Sequence, residues 1–61
     1  MVTKTQAIAA FKELFPKFKF EHGAFEVGNV YDYLKNDGAI PKRWSAKRVA
    51  KEIEAFISSS M

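Results

Sequence analysis

Apolar side chains change rhythm along the 61 residues. Ala7, Ile8, Phe11, Leu14 and Phe15 recur at helical intervals behind Thr3 and Gln6, whose spacing is that of a capping box. The pattern predicts a first helix over residues 4–15 that Pro16 closes, because the residue before a proline is driven out of the α region. The period then shortens to two. Phe18 and Phe20 alternate with Lys17, Lys19 and Glu21, and Phe25 and Val27 alternate again after His22-Gly23. A two-residue turn at His22-Gly23 sets Phe20 opposite Phe25, Phe18 opposite Val27 and Lys19 opposite Glu26, which predicts a β-hairpin. The alternative is an irregular loop whose aromatic rings plug the core.

Helical spacing returns after the breaker Gly28. Asn29 is placed as an N-cap, Asp32 falls in the first turn where negative charge is favoured, and Val30, Tyr33 and Leu34 share one side. This second helix is short and ends at Asn36-Asp37-Gly38, with Gly38 supplying the left-handed residue that terminates helices. Ile40 must be extended before Pro41, and Ser45 is the natural N-cap of a third helix that buries Ala46, Val49, Ala50, Ile53, Phe56 and Ile57. Ser58, Ser59, Ser60 and Met61 read as a frayed end. The fold class expected is α+β, mainly α: a three-helix core with a small β-hairpin between helices 1 and 2. It forms one domain over residues 1–61 with an ordered core at about 3–57.

Composition narrows what such a domain does. Six Phe, two Tyr and one Trp give a short chain enough apolar area for a core, which it needs because there is no Cys to staple it. The single His22, read as a turn residue, cannot build a zinc site alone, and no nucleophile, base and orienter set is present. No cofactor, no metal and no enzymatic activity are expected. The carboxylate pairs Glu52 with Glu54 and Glu21 with Glu26 lie on predicted solvent faces and read as solubility residues. No apolar run approaches the ~18 residues of a membrane span and the N-terminus has no cleavable apolar stretch, so a cytoplasmic protein without a membrane partner is expected.

Charge placement says more than the net charge of +3. Lys42, Arg43, Lys47, Arg48 and Lys51, five of the ten cationic side chains, fall within a dozen residues that also hold Trp44. Lys47 and Arg48 occupy the first turn of the third helix, where cations oppose the macrodipole by about 0.3–1 kcal/mol each. Cations kept at such a place, beside orphan backbone N–H groups, suit a phosphate. The alternative is an ordinary solvated face on which Arg48 pairs with Glu52 at i,i+4. Trp44 either caps the core or stacks on a base or a partner surface. Tyr31 and Tyr33 cannot share a helix face, so burial of Tyr33 with Leu34 would leave Tyr31 exposed as an interface residue.

A helix, a short second helix ending at Gly38, a proline-containing turn and a basic amphipathic third helix resemble the core of helix-turn-helix and winged-helix DNA-binding domains. The resemblance spans about residues 3–57 and is carried by Val30, Tyr33, Leu34, Gly38 and Ile40, then Val49, Ala50 and Ile53. It implies that the third helix is a recognition helix with Lys47, Arg48 and Lys51 at the groove, and that the hairpin is a displaced wing. The connection over residues 38–45 exceeds the simple motif's turn, and the hairpin precedes the second helix. The pattern is therefore similar to the minimal variants found among small phage and plasmid-borne regulators, which a chain from Met1 to Met61 would suit. Duplex DNA is the favoured partner, with Lys42 and Arg43 on phosphate and base selection modest or dependent on Arg48 at guanine. About four phosphate contacts bind weakly, so tight occupancy calls for a homodimer or cooperative binding. The rival is a protein-interaction module or inhibitor whose basic, aromatic surface docks on an acidic protein. A third reading is a folded domain with no natural ligand.

Overall fold

Thr3 begins the first helix with the two-way cap that its spacing predicts: the Gln6 N–H donates to Thr3 Oγ1 at 3.1 Å and the Thr3 N–H donates to Gln6 Oε1 at 3.0 Å. The computed structural model describes residues 1–18 and 27–60. Three helices make up its regular structure, α1 (Lys4–Leu14), α2 (Val27–Asn36) and α3 (Ala46–Ser59). Pro16 ends α1 as expected, with Phe15 turned out of helical geometry at φ −128°, ψ 61°.

The described residues overturn the β-hairpin expected between helices 1 and 2: their regular structure is all-helical, and no strand occurs among them. The reason is visible at both ends of the supposed pair. The Phe18 N–H donates to the Phe15 carbonyl at 3.1 Å, closing a β-turn with Pro16 at its second position, and the Phe18 ring returns edge-on to Phe11 at 5.2 Å. Val27, its assigned strand partner, is already the first residue of α2. Phe18 thus fills the core beside a turn instead of alternating in a strand, with Phe15 also 4.9 Å from Phe11. The His22-Gly23 turn and the pairs Phe20 with Phe25 and Lys19 with Glu26 lie outside the described residues.

An earlier start for α2 changes its phase. Gly28 and Asn29 lie inside the first turn instead of preceding it, and the buried stripe becomes Val27, Val30 and Tyr31, followed by half-buried Leu34. That is the i, i+3, i+4, i+7 face of an amphipathic helix. Tyr31 is therefore 3% exposed and Tyr33 58%, the reverse of the expectation from sequence. The Tyr31 hydroxyl donates to the Val2 carbonyl, which satisfies a buried polar atom and ties down the residues before α1. Lys4 Nζ and Asp32 Oδ2, 2.7 Å apart and half exposed, add an ion pair between α1 and α2 of the kind that contributes about 0–1 kcal/mol.

The C-terminus of α2 follows its glycine. Gly38 has φ 74°, its N–H donates to the Lys35 carbonyl, and the Ala39 N–H donates to the Leu34 carbonyl at 2.9 Å, a Schellman motif. Ile40 is buried beneath the connection that follows. The core gathers Ala7, Ala10 and Phe11 from α1, the α2 stripe, Ile40, and Val49, Ala50, Ile53 and Ile57 from α3. Full burial of Phe11, Ile53, Ile57 and Val49 contributes about 1.5–3 kcal/mol each. The last helix outruns its expected end: α3 continues through Ser59, and the Ser60 hydroxyl donates to the Phe56 carbonyl at 3.0 Å. No helix among the described residues is long and apolar enough to cross a membrane.

Candidate nucleic-acid interface

Pro41 and Trp44 frame the first half of the basic cluster. The Trp44 N–H donates to the Pro41 carbonyl at 3.1 Å, so residues 41–44 form a turn whose two central positions are Lys42 and Arg43. Both side chains are exposed at that corner. The turn is held at each end, by buried Ile40 on one side and by the half-buried Trp44 ring, packed against the core, on the other. Ser45 follows with extended backbone, φ −75° and ψ 165°, and caps α3 by accepting the Arg48 N–H on Oγ at 3.2 Å. Ala46, Lys47 and Arg48 then form a first turn that carries no acidic residue.

Along the outer side of α3, Lys47 and Lys51 make one i,i+4 row, both exposed. A second row runs Trp44, Arg48, Glu52. The Arg48 guanidinium lies over the indole at 4.7 Å from the ring centroid, and its Nε is 3.5 Å from Glu52 Oε1. The i,i+4 pair anticipated as the ordinary alternative for Arg48 is therefore formed, while the Arg48 side chain stays 57% exposed. Lys42, Arg43, Lys47 and Lys51 make no ion pair among the described residues. Five cations thus fall on the 41–44 turn and the first two turns of α3, four of them in no ion pair among the described residues, close to helix N–H groups whose partial charge has the same sign.

Two expectations about aromatics are resolved by the packing. Trp44 takes the core-capping position and gives its face to Arg48. Tyr31, expected as an outward interface residue, is buried between α1 and α2 and does not reach the basic edge. The exposed aromatic among the described residues is Tyr33, whose ring lies 5.3 Å from Phe56 beside a shallow groove of about 260 Å³ lined by Leu34, Ala39, Glu52, Ala55, Phe56 and Ser59. The cation–π contact of Arg48 with Trp44 has one signal in the sequence, the i,i+4 spacing across the Ser45 cap. No group of His, Cys, Asp or Glu that could hold a metal occurs among the described residues.

Comparison with protein-family models, curated proteins and solved structures returns no significant match.

Proposed function

We propose that this protein binds duplex DNA in the cytoplasm through the 41–44 turn and the first two turns of α3, acting as a binding protein and not as an enzyme. The observation that carries the reading is the set of exposed cations without ion pairs among the described residues, Lys42, Arg43, Lys47 and Lys51, grouped where no acidic residue offsets the α3 N-terminus. Isolated cations at a helix start are destabilising; a polyanion turns the same charges into favourable contacts. Shape is compatible. A 14-residue helix is about 21 Å long, and a major groove about 12 Å wide admits one. Lys42 and Arg43, at the corner ahead of the helix, fall where the phosphate ridge would flank the groove.

Salt dependence tests this directly. With about four phosphate contacts, affinity for random-sequence duplex falls roughly a hundredfold between about 50 and 200 mM salt. Substituting Lys47→Ala together with Lys51→Ala lowers the slope of log K against log salt by about 2 and weakens all duplexes alike. An affinity indifferent to salt, or unmoved by the double substitution, excludes the reading. Transfer of binding to an acidic protein, with shallow salt dependence, favours the interaction-module alternative instead.

A further inference from the structure

Within the basic edge one cation is built differently from the rest. Lys42, Lys47 and Lys51 end in freely rotating ammonium groups, and Arg43 sits at the tip of the turn. Arg48 alone has neighbours on two sides: its guanidinium carbon lies over the Trp44 ring, 4.7 Å from the centroid, and its Nε is 3.5 Å from Glu52 Oε1. A cation–π contact offers the guanidinium no hydrogen-bond acceptor and so leaves its N–H donors for another partner. The carboxylate approaches Nε, at the inner end of the fork, and the side chain remains 57% exposed. The result is a planar donor fork with two supporting neighbours on the first turn of α3, before any ligand arrives.

The same contact decides what Trp44 does. An indole packed against the core and covered by Arg48 is not an open platform for an unstacked base, which single-strand binding by aromatic stacking requires. A planar donor fork instead matches a base edge that offers two acceptors side by side. In the major groove of a duplex that edge is guanine, with O6 and N7. No Asn or Gln occurs in α3 to take adenine in the equivalent way. We infer that Arg48 is the base-reading residue of this surface, positioned by Trp44 and Glu52, and that the nucleic acid selected is guanine-bearing duplex. The inference rests on the duplex-binding reading above and specifies what that surface distinguishes.

Selection from a random duplex pool followed by base substitution tests it. The retained sequences carry guanine at a fixed position, and replacing that base by 7-deazaguanine, which pairs normally but lacks N7, weakens binding at least about fivefold. Arg48→Lys keeps the charge and loses the fork, so the two duplexes become equal for that variant. Trp44→Phe retains the penalty, and Trp44→Leu, with helical content checked by circular dichroism, reduces it; equal penalties in both would show that the ring positions nothing. Lys12→Ala, on α1, leaves the penalty unchanged. Salt-dependent duplex binding without guanine enrichment, or a penalty that persists in Arg48→Lys, overturns the inference and leaves duplex binding standing. Tighter binding to the single strand of the same sequence also overturns it, and absence of any duplex binding removes both.

Discussion

A Cβ placed on Gly28 would meet Lys4 Cδ at 3.5 Å and Ile8 Cδ1 at 3.7 Å, ordinary van der Waals distances, on a backbone that is already helical. Gly28→Ala is therefore expected to stabilise the protein by about 0.5 kcal/mol, by reducing the freedom of the unfolded chain. Gly38 has open space around it but sits at φ 74°, and Gly38→Ala is expected to cost about 1 kcal/mol despite the room. Urea unfolding of the two variants should give midpoints displaced in opposite directions. The role of Gly38 was legible in sequence because Asn-Asp-Gly after an apolar stripe has a local cause. The roles of Tyr31 and Tyr33 were not, because two tyrosines two positions apart exchange inside and outside when the helix phase moves, and Val27 had been assigned to a strand. Polar detail could not rescue the assignment: the acceptor of the Tyr31 hydroxyl, the Val2 carbonyl, is 29 residues distant.

At the level of elements, helix starts with side-chain caps read most clearly. Thr3 with Gln6 and Ser45 with the Arg48 N–H both cap as their spacing indicated, since a cap is decided within four residues. The cap signal at the second helix misled: Asn29 has N-cap chemistry but lies inside α2, which starts at Val27, and the short alternation before it was open to a strand or a loop. The first turn of α3 supplies the sharpest test of whether charge there serves folding or binding. Lys47→Glu removes a cation from the positive end of the helix, adds a favourable anion, and gains an i,i+4 partner in Lys51. Stability is expected to rise by about 1 kcal/mol while duplex affinity falls, a pairing of effects that marks a residue retained at the expense of the fold. Thermal melts and anisotropy titrations on one preparation check both halves.

For the molecule as a whole, size leaves little margin. A core of this length supplies about 3–5 kcal/mol net, so the loss of one central side chain is of the same order as the whole stability. Ile53 is fully buried on α3, the helix with the most extensive contact to α1, and Ile53→Ala is expected to cost about 2–5 kcal/mol. That variant should be largely unfolded at 37 °C by circular dichroism. The three helices and the apolar stripes of α1 and α3 were readable from periodicity, because burying one face of each amphipathic helix admits few arrangements. The turn at residues 15–18 was not, since it depends on contacts brought together by the fold: Phe18 meets Phe11 only once Pro16 has turned the chain. The cationic corner shows the same dependence with a useful result. Because Ile40 and Trp44 fasten residues 41–44 to the interior, the backbone there has little configurational freedom left to surrender on capture of a ligand, and amides at 42 and 43 should show order parameters close to those of the helices.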